Sequence, residues 1–175
     1  MDALVSALGG EGGRTLHFIN LSSTILDCEI VEQGWGGPST SYRIHTDTGS
    51  STAQTSVVAT HGGNPTMIAR VDWSYTPYVE IREHLGRTPA RDWLVLSGDR
   101  SARRVHVNRV RYDWAPLMND LCLYVPDPIS PRIIARCVKT RQSVTLHLSK
   151  EAVDLCLVET SIVAVVLMLS GKNID

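Results

Sequence analysis

The sequence lacks nearly every short signature that would announce a chemistry. It has no Cys-x-x-Cys pair, no His-x-His and no His-Glu-x-x-His, which removes the common metal-ligand spacings. It has no Gly-x-Ser-x-Gly elbow, no phosphate-cradling glycine loop and no dinucleotide fingerprint, so three large enzyme classes have no foothold. Neither charge sign prevails: 17 Lys and Arg face 18 Asp and Glu, a formal net charge of −1. Bulk charge therefore gives no sign of a nucleic-acid or membrane partner, and no nucleic acid is expected. No apolar run approaches the roughly twenty residues of a membrane-spanning helix. The opening MDALVSALGGEGGR has neither a basic start nor a long apolar stretch, so it does not read as a signal peptide, and a cytoplasmic site is expected. Lysine is scarce, with three against fourteen arginines, a bias toward planar, multidentate anion contacts or fixed ion pairs.

What is present is an apolar tail. Residues 150–169 read KEAVDLCLVETSIVAVVLML, and 162–169 are apolar without a break. The length predicts a helix of about five turns over 150–170, capped by Ser149 and stopped at Gly171. Glu151 and Asp154 fall near its start, where acids favour the helix dipole. The β-branched residues Ile162, Val163, Val165 and Val166 argue for strands instead. A helix apolar on nearly every face is either buried or membrane-associated. Asp154 and Glu159 interrupt the stretch, which favours burial.

The rest of the chain is short strands and turns. With 43% hydrophobic and 20% charged residues, it has the balance of one globular domain. Four glycines among residues 9–13 mark 1–13 as a loose leader, and order is expected over 14–171. Strands are predicted at 15–21, 24–32, 41–46, 53–59, 67–73, 78–83, 93–96, 121–125, 133–138 and 144–148. Residues 103–114 read as one long strand or a tight pair. Residues 33–38 and 61–65 are glycine turns, and 84–91 is a loop; Trp35 either folds over a sheet edge or is exposed. Cys28, Cys122, Cys137 and Cys156 read as reduced thiols, three of them within apolar stretches. About eleven short strands followed by one greasy helix suggest a closed antiparallel barrel around the helix, with an open sandwich as the rival arrangement.

Several motifs support the barrel. Tyr42-Arg-Ile, Ile68-Ala-Arg-Val-Asp-Trp73, Arg111-Tyr-Asp-Trp114, Leu121-Cys-Leu-Tyr124, Ile134-Ala-Arg-Cys137 and the closing apolar segment resemble, in that order, an uncharacterised fungal domain family. That family is similar to the tubby C-terminal-like superfamily, which includes LURP-one-like and phospholipid-scramblase-like proteins. The resemblance implies a mainly β fold, a twelve-stranded barrel wrapped around a buried C-terminal helix. It also implies binding of phosphoinositides or membranes in some members. No lipid-binding residue of the superfamily is carried over to this chain.

The densest charge feature is Arg100, Arg103, Arg104, Arg109 and Arg111, five cations in twelve positions with no acid between them. On a continuous strand, Arg103, Arg109 and Arg111 would share one face and Arg104 the other. These are the candidate residues for an anion or lipid headgroup; the rival reading is a solvated face paired with acids. For catalysis, Asp72, Glu80, Glu83, His106 and Asp113 are the acid–base candidates, with Trp73 and Trp114 as pocket walls. Any active site would be a rim cleft built by 33–38, 61–65 and 84–91. No metal site and no cofactor are expected. The composite expectation is a non-catalytic binding module for anionic phospholipid or a protein, cytoplasmic or peripheral to a membrane. A small enzyme with a loop-built pocket and an oligomerisation protein are the alternatives; oligomeric state is left open.

Overall fold

Alternation sets the strands. In Gln54–His61, Thr55, Val57 and Ala59 are buried while the residues between them reach solvent. Ser41–Asp47 buries Tyr42 and Ile44 in the same rhythm. Side chains alternate across a strand, so a sheet covered on one face imposes this period. The computed structural model describes residues 8, 11–21, 24–33, 40–49, 51–127 and 129–175.

Within them, thirteen strands form one antiparallel sheet: β1 Arg14–Ile19, β2 Cys28–Glu32, β3 Ser41–Asp47, β4 Gln54–His61, β5 Asn64–Asp72, β6 Tyr78–Ile81, β7 Leu85–Pro89, β8 Val95–Leu96, β9 Arg103–Val107, β10 Val110–Leu117, β11 Asp120–Val125, β12 Arg132–Lys139 and β13 Val144–Leu148. Three helices accompany them: α1 Ala90–Trp93, α2 Lys150–Asp154 and α3 Val158–Leu169. The order is β7-β6-β5-β4-β3-β2-β1-β13-β12-β11-β10-β9-β8. Two meanders are thus stitched together where β1 pairs with β13, Leu16 opposite Leu146.

Hydrogen bonding does not close this sheet. Its edges are β7 and β8, which are consecutive in the chain and joined through α1. Ala90 and Leu94 are fully buried there and Trp93 nearly so. The mainly β reading holds, with thirteen strands in place of about twelve. The loop expected at 84–91 contains β7, and the strand expected at 93–96 is the end of α1 followed by two strand residues. Leu85-Gly-Arg-Thr-Pro89 has no apolar alternation, so periodicity cannot reveal it.

The tail divides into two helices rather than one. Ser149 does cap it, its hydroxyl accepting from Ala152 N at 3.2 Å. At Cys156, with φ of 57°, the chain turns left-handed. Cys156 N donates to Val153 O at 3.0 Å and Leu157 N to Ala152 O at 2.9 Å. That pair of bonds is a Schellman C-cap. Glycine usually occupies this position; here it is a cysteine, so the sequence gives no stop signal. The chain then re-enters a helix at Val158. Gly171, with φ of 72°, ends α3 as expected.

The second helix is the centre of the core. Every residue from Thr160 to Leu167 is buried, which covers all directions around the helix axis. Each fully buried Val, Leu or Ile contributes about 1.5–3 kcal/mol relative to exposure. Of the predicted leader, residues 1–7, 9 and 10 lie outside the described residues; Leu8 is buried. Trp35 also lies outside them. No helix among the described residues is long and apolar enough to cross a membrane.

Because neighbouring strands run in opposite directions, the connections sort to two ends. At the entry end, where α3 begins, lie the 62–63, 82–84 and 108–109 turns. At the exit end, where α3 finishes, lie the 73–77, 97–102, 118–119 and 140–143 connections and the tail 170–175.

Candidate functional site

The five arginines do not form one patch. A two-residue turn with left-handed φ at both Asn108 (51°) and Arg109 (66°) splits the run into the hairpin β9–β10. A strand that reverses cannot hold the expected shared face of Arg103, Arg109 and Arg111. On the outer face, Arg104 lies opposite Asp113 and Arg111 opposite His106. Arg111 donates from Nε and Nη2 to Asp113 at 3.1 and 2.6 Å, and Arg104 Nε reaches the same carboxylate at 3.4 Å. Two candidates are therefore paired with an acid on the solvent side. Arg109 sits on the turn at the entry end.

Arg100 and Arg103 go to the other end. They line a cavity of about 480 Å³ at the exit end of α3, together with Lys172, Trp114, Leu121 and Met168. Arg103 is held firmly: Nη1 donates to Leu94 O at 3.0 Å and to Asp175 Oδ1 at 3.0 Å, and Nη2 to Asp175 Oδ2 at 2.8 Å. The Arg103 hydrogen bonds keep the Asp175 carboxyl below the usual carboxylate range, with Arg100 adding to the effect. Lys172 Nζ stands 5.3 Å above the centroid of Trp73, within cation–π range. The site thus combines a guanidinium fork already shaped around a carboxylate, two further cations, and apolar walls from Trp114, Leu121 and the end of α3. Chemically it can hold an anion attached to an apolar body.

The acid–base candidates do not gather into one site: Asp72 and Glu80 line one small surface cavity, and Glu80 and Glu83 another. Asp72 accepts from Arg87 Nη2 at 3.1 Å, and Asp113 is shared between two arginines. Glu83 lies in the turn at the entry end, with φ of 65°. Trp114 is buried and walls the exit cavity, which none of the acid–base candidates lines; Trp73 donates its indole N–H to Thr55 Oγ1 at 2.7 Å. Among the described residues no group of three or more His, Cys, Asp or Glu could hold a metal ion. The thiols of Cys28 and Cys137 are pushed up to about 12 by burial, and that of Cys122 to about 11. Lys172, Asp175 and the end of α3 were absent from the sequence-level site. No motif links them to Arg100 across more than seventy positions; only the fold does.

A second cavity, of about 350 Å³, opens at the entry end. Of the three predicted cleft segments only 61–65 reaches it, through His61; Arg82 and Glu83 precede 84–91, and 34–38 lie outside the described residues.

A family model described as a family of unknown function (DUF6593) matches residues 22–168. The chain belongs to that family. No curated protein and no solved structure matches it.

Proposed function

We propose that this domain is a binding module whose exit-end cavity takes an anionic, phosphate-bearing headgroup with an apolar tail. The observation that carries the reading is the convergence of Arg100, Arg103 and Lys172 on a cavity walled by Trp114, Leu121 and Met168. Guanidinium forks match phosphate and carboxylate oxygens in pairs, and the apolar wall suits an acyl or glycerol body. Asp175 occupies the fork in the free protein, so the ligand anion replaces it. Two fully exposed apolar turn residues, Tyr75 and Met118, stand on the same end as these cations. Apolar tips on the same end as basic side chains favour a bilayer surface over a free anion, and the proposed role is that of a cytoplasmic protein peripheral to a membrane.

The architecture suited to this is the tubby C-terminal-like one. In this reading the sheet curls fully around α3, and α1 plugs the seam between β7 and β8. Register shifts at Val57/Val58, Val79/Ile81 and Leu123/Tyr124 supply the local bending that such curling needs.

Co-sedimentation tests the function. The protein is expected to pellet with vesicles of phosphatidylcholine plus phosphatidylserine, and far less with phosphatidylcholine alone. Arg100→Glu with Lys172→Glu should weaken this by about tenfold or more. Arg104→Glu and Arg109→Glu should leave it nearly unchanged. Equal pelleting on both vesicle types, or an equal loss from the Arg104 and Arg109 variants, defeats the reading.

A further inference from the structure

The entry-end cavity has the opposite character. Its floor is formed by Tyr42, Ala59 and Ile68, nearly buried residues of β3, β4 and β5. Two guanidiniums, Arg14 and Arg82, and two carboxylates, Glu83 and Glu159, line it, while Glu32 meets Arg14 from outside the lining. Arg14 bonds Glu32 from both Nε and Nη2 at 2.6 Å. Arg82 pairs with its neighbour Glu83 at 3.4 Å. Glu159, in the first turn of α3, is only partly exposed and has no hydrogen-bond or ion-pair partner among the described residues. One carboxylate is left without a direct partner beside an apolar floor, with His84, Arg82 and Arg14 acting on it only from a distance.

We infer that this cavity is a site for a small organic cation, an aliphatic ammonium or guanidinium compound whose charged head pairs with Glu159 and whose stem lies on Tyr42, Ala59 and Ile68. A metal ion is the wrong occupant, because the acids and histidines here do not gather into a chelating set. An organic cation needs one counter-ion and an apolar wall rather than several close ligands. The size agrees: about 350 Å³ opens onto an adjoining cleft of about 620 Å³ that shares Ile68, Arg82 and Glu83. Thr40 and Thr66 at the edge supply hydroxyls for the remaining ammonium protons, although Thr40 Oγ1 already contacts His61 Nδ1 at 2.9 Å.

The proton linkage has a defined sign. The charged and titratable groups facing Glu159 are Arg14 on β1, Tyr42 on β3, His61 on β4, and Arg82, Glu83 and His84 after β6. Burial holds the Glu159 carboxyl above its usual range; Glu83 adds to this, whereas His84, Arg82 and Arg14 oppose it. A bound cation stabilises the carboxylate, so binding lowers that pKa and releases a proton. Affinity must therefore fall as the solution is acidified through the Glu159 titration.

Calorimetry with the full chain tests the site, using n-hexylammonium and agmatine as probes and hexanoate as the charge-reversed control. Both cations are expected to bind near neutral pH and hexanoate is not. Glu159→Gln should lower affinity by about tenfold or more. Wild-type titrations under acidic conditions, within the Glu159 titration, in buffers of different ionisation heat should show proton release, which keeps the question decidable if the variant fails to fold. Equal binding of hexanoate, an unchanged affinity in Glu159→Gln, or binding that strengthens on acidification overturns the inference. The Arg100 and Lys172 variants, at the other end of α3, should bind the cations like wild type, so this site and the anion site fail independently.

Discussion

Arg103 and Asp175, seventy-two positions apart, meet fork to carboxylate at 3.0 and 2.8 Å. This contact fastens the tail to β9 and fills the guanidinium that the anion site requires. Asp175→Ala should cost at most about 1 kcal/mol of stability, because the acid is 43% exposed and such pairs are screened. The same change should tighten binding to anionic vesicles, since a competing carboxylate is gone. Denaturant melts and vesicle titrations of one variant check both halves. The Asp175 pKa is depressed, so the contact's contribution is present above the unfolded carboxylate pKa. It is lost as pH falls through the lower folded value.

Val165 is fully buried within α3. Val165→Asp places a charge where no partner exists, a cost of several kcal/mol that a domain of this size does not survive. Loss of the cooperative thermal transition is expected. Ile162→Val, by contrast, should cost about 0.5–1.5 kcal/mol and leave a sharp melt. A Val165→Asp protein melting like the parent would mean that α3 does not fill the interior.

The hairpin turn between β9 and β10 holds Arg109 at φ of 66°. An L side chain in that region costs about 1–2 kcal/mol, and glycine relieves most of the strain. Arg109→Gly also produces Asn-Gly, the pair best suited to a two-residue hairpin. A gain of about 0.5–1 kcal/mol is expected in denaturant titrations, with no change in vesicle binding.

Glu159 carries a raised pKa in the folded state. The folded chain then binds the proton more tightly than the unfolded one, and stability declines as pH rises from the unfolded value through the folded value. Glu159→Gln should therefore melt higher than wild type at neutral pH. The difference should vanish below the ordinary carboxylate range, where both are uncharged.

The thiols form two classes. Cys28, Cys122 and Cys137 are buried and Cys156 is exposed. One thiol per chain should react quickly with an aromatic disulfide reagent in the native state, and four after denaturation. Fast reaction of three or four native thiols would contradict the packing of β2, β11 and β12.

The strands were readable because alternation is a local consequence of covering one face of a sheet. Residues 41–46 and 144–148 show it directly, and both are strands within a residue. The apolar tail was readable for a similar reason: Ile162 to Leu167 permit no exposed face, whatever packs on them. The Schellman stop at Cys156 was not readable, because its residue lacks the glycine that normally marks the turn. Nor was β7, which draws its place from pairing with β6 rather than from its own pattern.

The sequence by itself determined a mainly β domain with a buried helix near its end and a concentration of arginine between 100 and 111. Only the tertiary structure decided what those arginines do. Hairpin reversal sent Arg104 and Arg111 outward to Asp113, and strand direction sent Arg100 and Arg103 to the end where Lys172 and Asp175 lie. Spacing along a chain fixes faces only while the chain runs straight. Which distant side chains share a cavity depends on where it turns.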